Sequence, residues 1–147
     1  MELYPQGFNT RSSNRQRIIS FGFSVLPTPM GWPDSVQYCK NMTLELISIS
    51  STQFQTQVYQ KVVQTKSSRV QDMWIGMRRS SQTGDWYWLN RDPVQATDWG
   101  VDEPGGVNDG QCAIMSQNSS TNFDWRDEDC CKAAYPICYS EPVLFLV

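Results

Sequence analysis

The sequence contains no histidine. That removes the commonest general base for a Ser or Cys nucleophile and a principal nitrogen ligand for zinc. No CxxC pair is present either, and the adjacent Cys130 and Cys131 suit tetrahedral ligation badly. Charge is sparse at 18% of residues, the net charge is -3, and no Lys/Arg stripe interleaves with aromatics, which argues against a nucleic-acid partner. No apolar run is long enough to span a membrane; the C-terminal one covers only residues 143–147. The polar N-terminus carries no signal-peptide pattern, so the chain is expected to be a fragment or an incomplete gene product.

What is present points to one folded, disulfide-bonded domain. Aromatics reach 12%, six of them Trp, and 147 residues suffice to bury roughly two-thirds of the unfolded surface. Five cysteines, four of them between residues 112 and 138, suggest a disulfide framework and an extracellular setting. The tripeptides Asn41-Met42-Thr43 and Asn118-Ser119-Ser120 are glycosylation sequons in keeping with that route. Eight of the fifteen acids fall between residues 98 and 129, with Arg126 the one base among them. Such a stretch is either a solvated acidic loop or an oxygen-rich site for a hard cation such as calcium.

Along the chain, residues 1–17 are polar and aperiodic and are expected to form a flexible leader. Residues 18–25 (IISFGFSV) suggest a strand, and Trp32, Val36 and Cys39 share one face of a short helix opened by Pro33 and Asp34. Ser50 to Thr52 can cap a second helix carrying Phe54, Val58 and Val62 at i+4 spacing. Residues 73–77 (MWIGM), 85–89 (DWYWL), 111–115, 122–125 and 134–139 are further strand candidates. Trp74, Trp86, Trp88 and Trp125 are expected in the core. Residues 90–110 hold two Pro and four Gly with little periodicity. Loops of that length in a compact domain usually carry function, so a binding site is expected there. The domain should occupy residues 18–140, followed by a short tail, residues 141–147.

The order of these pieces resembles the C-type lectin-like domain over roughly residues 21–139. Trp74-Ile75-Gly76-Met77 is similar to the family's WIGL element, and Cys39 to its leading half-cystine. Cys112, the string Trp125-Arg126-Asp127-Glu128-Asp129-Cys130 and Pro136-Ile137-Cys138 match its closing half. The resemblance implies an α+β fold, with two helices flanking small antiparallel sheets and a long binding loop. It also implies disulfides Cys39 to Cys138 and Cys112 to Cys130, and a structural anchor at Trp99. Cys131 is left over, unless it pairs in place of Cys130. It is expected to bond a partner, to pair with a cysteine outside the chain, or to be a buried free thiol, with burial favoured.

In sugar-binding members calcium is held by an E-P-N or Q-P-D tripeptide, an acid shortly before the third framework cysteine, and the Asn-Asp of a W-N-D motif. Here Glu103, Pro104 and Asp127 match, while Gly105, Gly110 and Arg126 stand where oxygens are needed. The Arg126 guanidinium is expected to sit among Glu103 and Asp127 as a substitute cation. Asn108 and Asp109 lie close enough to the lost acid to replace it if the loop shifts register. The resemblance thus implies a ligand surface at Glu103, Asn108, Asp109, Arg126 and Asp127. If calcium binds, Glu103, Asp109 and Asp127 are its best ligands. The expected function is recognition of a carbohydrate or other ligand with an impaired calcium site, or, alternatively, calcium-independent binding of a protein. An enzyme is not expected: a glycosidase could work with two carboxylates, but no spacing singles out such a pair.

Overall fold

The computed structural model describes residues 16–119 and 122–146; most of the expected leader lies outside them. Strand β1 (Gln16–Val25) is followed by helix α1 (Trp32–Asn41), strand β2 (Glu45–Leu46) and helix α2 (Thr52–Thr65). Strands β3 (Asp72–Arg79), β4 (Trp86–Trp88), β5 (Cys112–Gln117), β6 (Phe123–Glu128) and β7 (Tyr135–Leu146) complete the fold.

Local chemistry sets the helix ends. Pro33 lies in the first turn of α1, with Asp34 beside it, and Lys40 sits at the end where the helix dipole favours a cation. Ser51 caps α2 by accepting the Phe54 N–H at 3.0 Å. The sheet runs β1-β7-β3-β5-β6, with β2 on β7 and β4 on β3. Small antiparallel sheets were expected, and the antiparallel ladders are present. They are joined by one parallel pairing, Met73 with Tyr135 and Trp74 with Pro136, so the described strands form a mixed sheet. Strand pairing also runs past residue 140, because Gln16 to Ile18 pair with Leu144 to Leu146.

Two faces of β3 feed two cores. Met73, Ile75 and Met77 join Val58, Tyr59 and Val62 of α2, together with Trp88 and Trp125. Trp74, on the alternate face, packs with Trp32 and Cys39 of α1. A fully buried indole removes roughly 200 Å² from water, on the order of 5 kcal/mol at about 25 cal/mol per Å². Trp32 and Trp74 also satisfy their polar ends, donating to the Ile75 and Met30 carbonyls at 2.9 and 2.7 Å. Gly76 admits no side chain: a β-carbon there would stand 2.5 Å from the Leu46 carbonyl oxygen. Its N–H instead donates to the Ile47 carbonyl at 2.6 Å.

The disulfides are Cys39–Cys138, tying α1 to β7, and Cys112–Cys130, tying β5 to the end of β6. Cys131 is exposed, which corrects the expectation of a buried thiol. It lies in a tight turn where Cys130 faces inward to Cys112, and the Cys131 N–H donates to the Asp129 carboxylate at 2.8 Å.

Candidate functional site: the long loop

Residues 89–111 connect β4 to β5. Their root is tied to β6 and α2. The Asp98 carbonyl accepts the Trp125 N–H at 2.9 Å, and the Gly100 N–H donates to the Trp125 carbonyl at 2.8 Å. The Asp98 carboxylate accepts the Tyr59 hydroxyl at 2.6 Å. Burial, and then that carboxylate, hold the Tyr59 phenol above its ordinary pKa. Trp99 wedges between Trp86 and Trp125, with ring centroids 5.0 and 6.0 Å away, so it serves as the structural anchor the resemblance implies. Trp86 is only partly buried, because it faces this loop.

The loop's apex closes on Asp127. One carboxylate oxygen accepts the Gly105 N–H and the other the Gly110 N–H, both at 2.7 Å. Glu103, joined to Pro104 by a cis peptide bond, sets its carboxyl beside the same carboxylate. Desolvation and then Asp127 push the Glu103 pKa up to about 7. Burial would raise Asp127 too, but the Gly105 N–H, Glu103 and the Gly110 N–H outweigh it and hold Asp127 below its usual range.

Arg79 meets the same apex from the sheet side. Only 3% exposed, it donates to the carbonyls of Gly106 at 2.5 Å and Gly105 at 3.1 Å. Its guanidinium stands 4.7 Å from the ring centroid of Trp86, its partner across the β3–β4 ladder. Its own N–H donates to the Gln111 carbonyl at 2.8 Å.

Of the sequence-predicted residues, Asn108, Asp109 and Asp127 line one open depression of about 690 Å³. Asn108 and Asp109 are exposed, and the Asp109 carboxylate turns inward to the Gly106 N–H at 2.8 Å. Glu103 contacts Asp127 but does not line that depression. Arg126 corrects the expectation made of it. It pairs with Asp72 at 3.3 Å and Glu128 at 3.8 Å rather than standing among Glu103 and Asp127. Strand alternation is the reason: Trp125 and Asp127 face one side of β6, Arg126 and Glu128 the other. Lys132 completes that network, 3.1 Å from Asp72 and 3.3 Å from Glu128.

Sequence reasoning passed over Asp72 and Arg79. A signal for Arg79 existed, since Met73, Ile75, Met77 and Arg79 share one face by the two-residue period and the first three are core. Glycine at 105 and 110 has a steric counterpart. A β-carbon at 105 would lie 2.5 Å from an Asp109 carboxylate oxygen, and one at 110 would fall on the Glu128 backbone. Among the described residues, no group of three or more His, Cys, Asp or Glu converges closely enough to hold a metal ion.

The model of the lectin C-type domain matches residues 28–140. The chain belongs to this family of C-type lectin domains. This C-type lectin domain is 30% identical over 112 residues to human C-type lectin domain family 17, member A, covering 76% of the chain and 27% of that protein. It therefore spans about a quarter of that relative's length. Human lithostathine superposes with a TM-score of 0.74 at 22% identity, covering 94% of this chain and 99% of that one. The C-type lectin domain of murine dendritic cell inhibitory receptor 2, solved in complex with N-glycan, gives 0.69 at 20% identity, covering 88% and 96%. At such identity these structures speak for the fold alone.

Proposed function

We propose that this domain is an extracellular recognition module that takes a carbohydrate or other ligand on its long-loop face, with no calcium at the apex. The observation that carries this reading is the engagement of both Asp127 oxygens by backbone N–H groups. Calcium needs six to eight oxygens, and here it would first displace two charge-assisted bonds. Gly105 and Gly110 contribute no side-chain oxygen, and Asp109 is turned to the Gly106 N–H. Glu103 and Asp127 also argue for binding over catalysis. The two carboxyls interact with each other, whereas glycoside hydrolysis needs a pair held about 5 Å or more apart with the substrate between them.

A second reading, a protein ligand, is favoured by Val101 and Val107 of the loop, 92% and 62% exposed. Apolar side chains displayed on a fixed loop suit a protein interface better than a hydroxyl-rich sugar. Among the described residues no helix is long and apolar enough to cross a membrane. Asn41 and Asn118, both exposed, are the proposed glycan acceptors, and Cys131 is available for a disulfide-linked partner.

Thermal melts in calcium and in chelator test the metal-free apex, and a glycan array read in both conditions tests the ligand. Coincident melts and calcium-indifferent binding are expected. A calcium-dependent rise of several degrees, abolished by Asp127→Ala, would refute the reading, as would calcium-dependent mannose binding.

A further inference from the structure

The long loop is rich in residues that hold a shape poorly on their own: Gly105 and Gly106 at its apex, with Gly100 and Gly110 on its limbs. Its fixed form therefore depends on what grips it. Asp127 grips two N–H groups, which leaves the carbonyls. Those of Gly105 and Gly106 both accept from one buried guanidinium.

We propose that Arg79 is the internal cation that positions the long loop for recognition, at the apex where the family resemblance implies a metal. This rests on the reading of that loop as a metal-free ligand surface. Three features single Arg79 out. Its side chain holds the apex while its backbone N–H holds Gln111, so one residue bridges two parts of the loop. The Trp86 face beneath the guanidinium fixes its plane, and the planar fork reaches two successive carbonyls, which an ammonium cannot do with the same geometry. Finally, its Nε is buried without a partner, a costly arrangement that persists only where the remaining contacts offset it. Gly105 is clasped from both sides, its N–H by Asp127 and its carbonyl by Arg79. The apex thus lies between a carboxylate and a guanidinium that both belong to the chain.

Amide hydrogen exchange read by NMR on the full chain tests this without any ligand. The reporters are the N–H groups of Gly105, Gly106 and Gly110, each with a carboxylate partner, against those of β3 and β5 as a core control. In the wild type their protection should be equal in millimolar calcium and in chelator. Arg79→Met keeps the apolar stem and should raise loop exchange on the order of ten- to a hundredfold with the core unchanged. Arg79→Lys, keeping charge but not the fork, should fall between. Should Arg79→Met not fold, Arg79→Lys and Trp86→Leu, which removes the ring beneath the guanidinium, carry the same comparison. Unchanged loop exchange in the variants that fold would overturn the role of Arg79 while leaving the metal-free reading intact. Loop protection that appears only with calcium would overturn both.

Discussion

Gly110 offers the sharpest test of how tightly the loop is closed. A β-carbon at this position would overlap the N, Cα and C atoms of Glu128, which belong to β6 and cannot rotate aside. Gly110→Ala must therefore move either the strand or the loop. Gly110 is not among the described residues with positive φ, so the cost is steric rather than conformational. Overpacking of this kind costs about 1–3 kcal/mol. Displacing the loop would also lengthen the bond from the Gly110 N–H to Asp127, and a bond to a charged group contributes about 1.5–3 kcal/mol. The expected loss is about 3 kcal/mol, or a fall in Tm of roughly 6–12 °C for a chain of this size. Two neighbours serve as controls. At Gly105 the obstacle is the mobile Asp109 carboxylate, so Gly105→Ala should cost about 1 kcal/mol. At Gly106 the nearest atom is 3.7 Å away, and Gly106→Ala should stay within about 0.5 kcal/mol of wild type. Urea unfolding of the three variants gives the ranking. A Gly110→Ala protein as stable as Gly106→Ala would refute the close contact of loop and strand. It would also reopen position 110 to the family's acid.

Other perturbations separate the remaining contributions. Replacing both cysteines of Cys112–Cys130 should cost about 3 kcal/mol and of Cys39–Cys138 nearer 5, because the second closes a loop of 99 residues against 18. Equal losses in denaturant would count against a chain-entropy origin. Glu103, its pKa raised to about 7, keeps its proton in the folded state after the unfolded chain has released it. Its contribution is complete below the ordinary value of 4.5 and is lost as pH rises through about 7. That rise is worth at most about 3 kcal/mol, and screening at a partly exposed site reduces it to on the order of 1. Glu103→Gln, which mimics the protonated form, should match wild type at pH 4.5 and exceed its stability at pH 8. Parallel melting curves at both pH values would remove the carboxyl pair from the account. Under native conditions a thiol reagent should label one cysteine per chain, and Cys131→Ser should abolish the labelling with no change in Tm.

The helices and most strands were legible because their signals are local. The face of Trp32, Val36 and Cys39, the Ser51 cap and the alternation of β3 each specify an element without reference to the rest of the chain. The parallel junction of β3 with β7 was not legible, since it pairs segments some sixty residues apart and no periodicity encodes a partner. The candidate site divides along the same line. Glu103, Asp109 and Asp127 were named by position, and the structure sets the carboxyls of Glu103 and Asp127 side by side. Arg126 was misplaced because the family's Asn position was carried over to it, whereas the longer guanidinium here pairs with Asp72 and Glu128. The two-residue period would have carried Arg79 into line with Met73, Ile75 and Met77. The cation that does meet the loop is Arg79. It arrives from β3, 26 and 27 residues before the carbonyls it binds, where an arginine continues a core-facing row and finds Trp86 and two glycine carbonyls instead of water. What makes that buried charge tolerable is that its partners come from two other segments, β4 and the loop itself, brought together only when the sheet has formed.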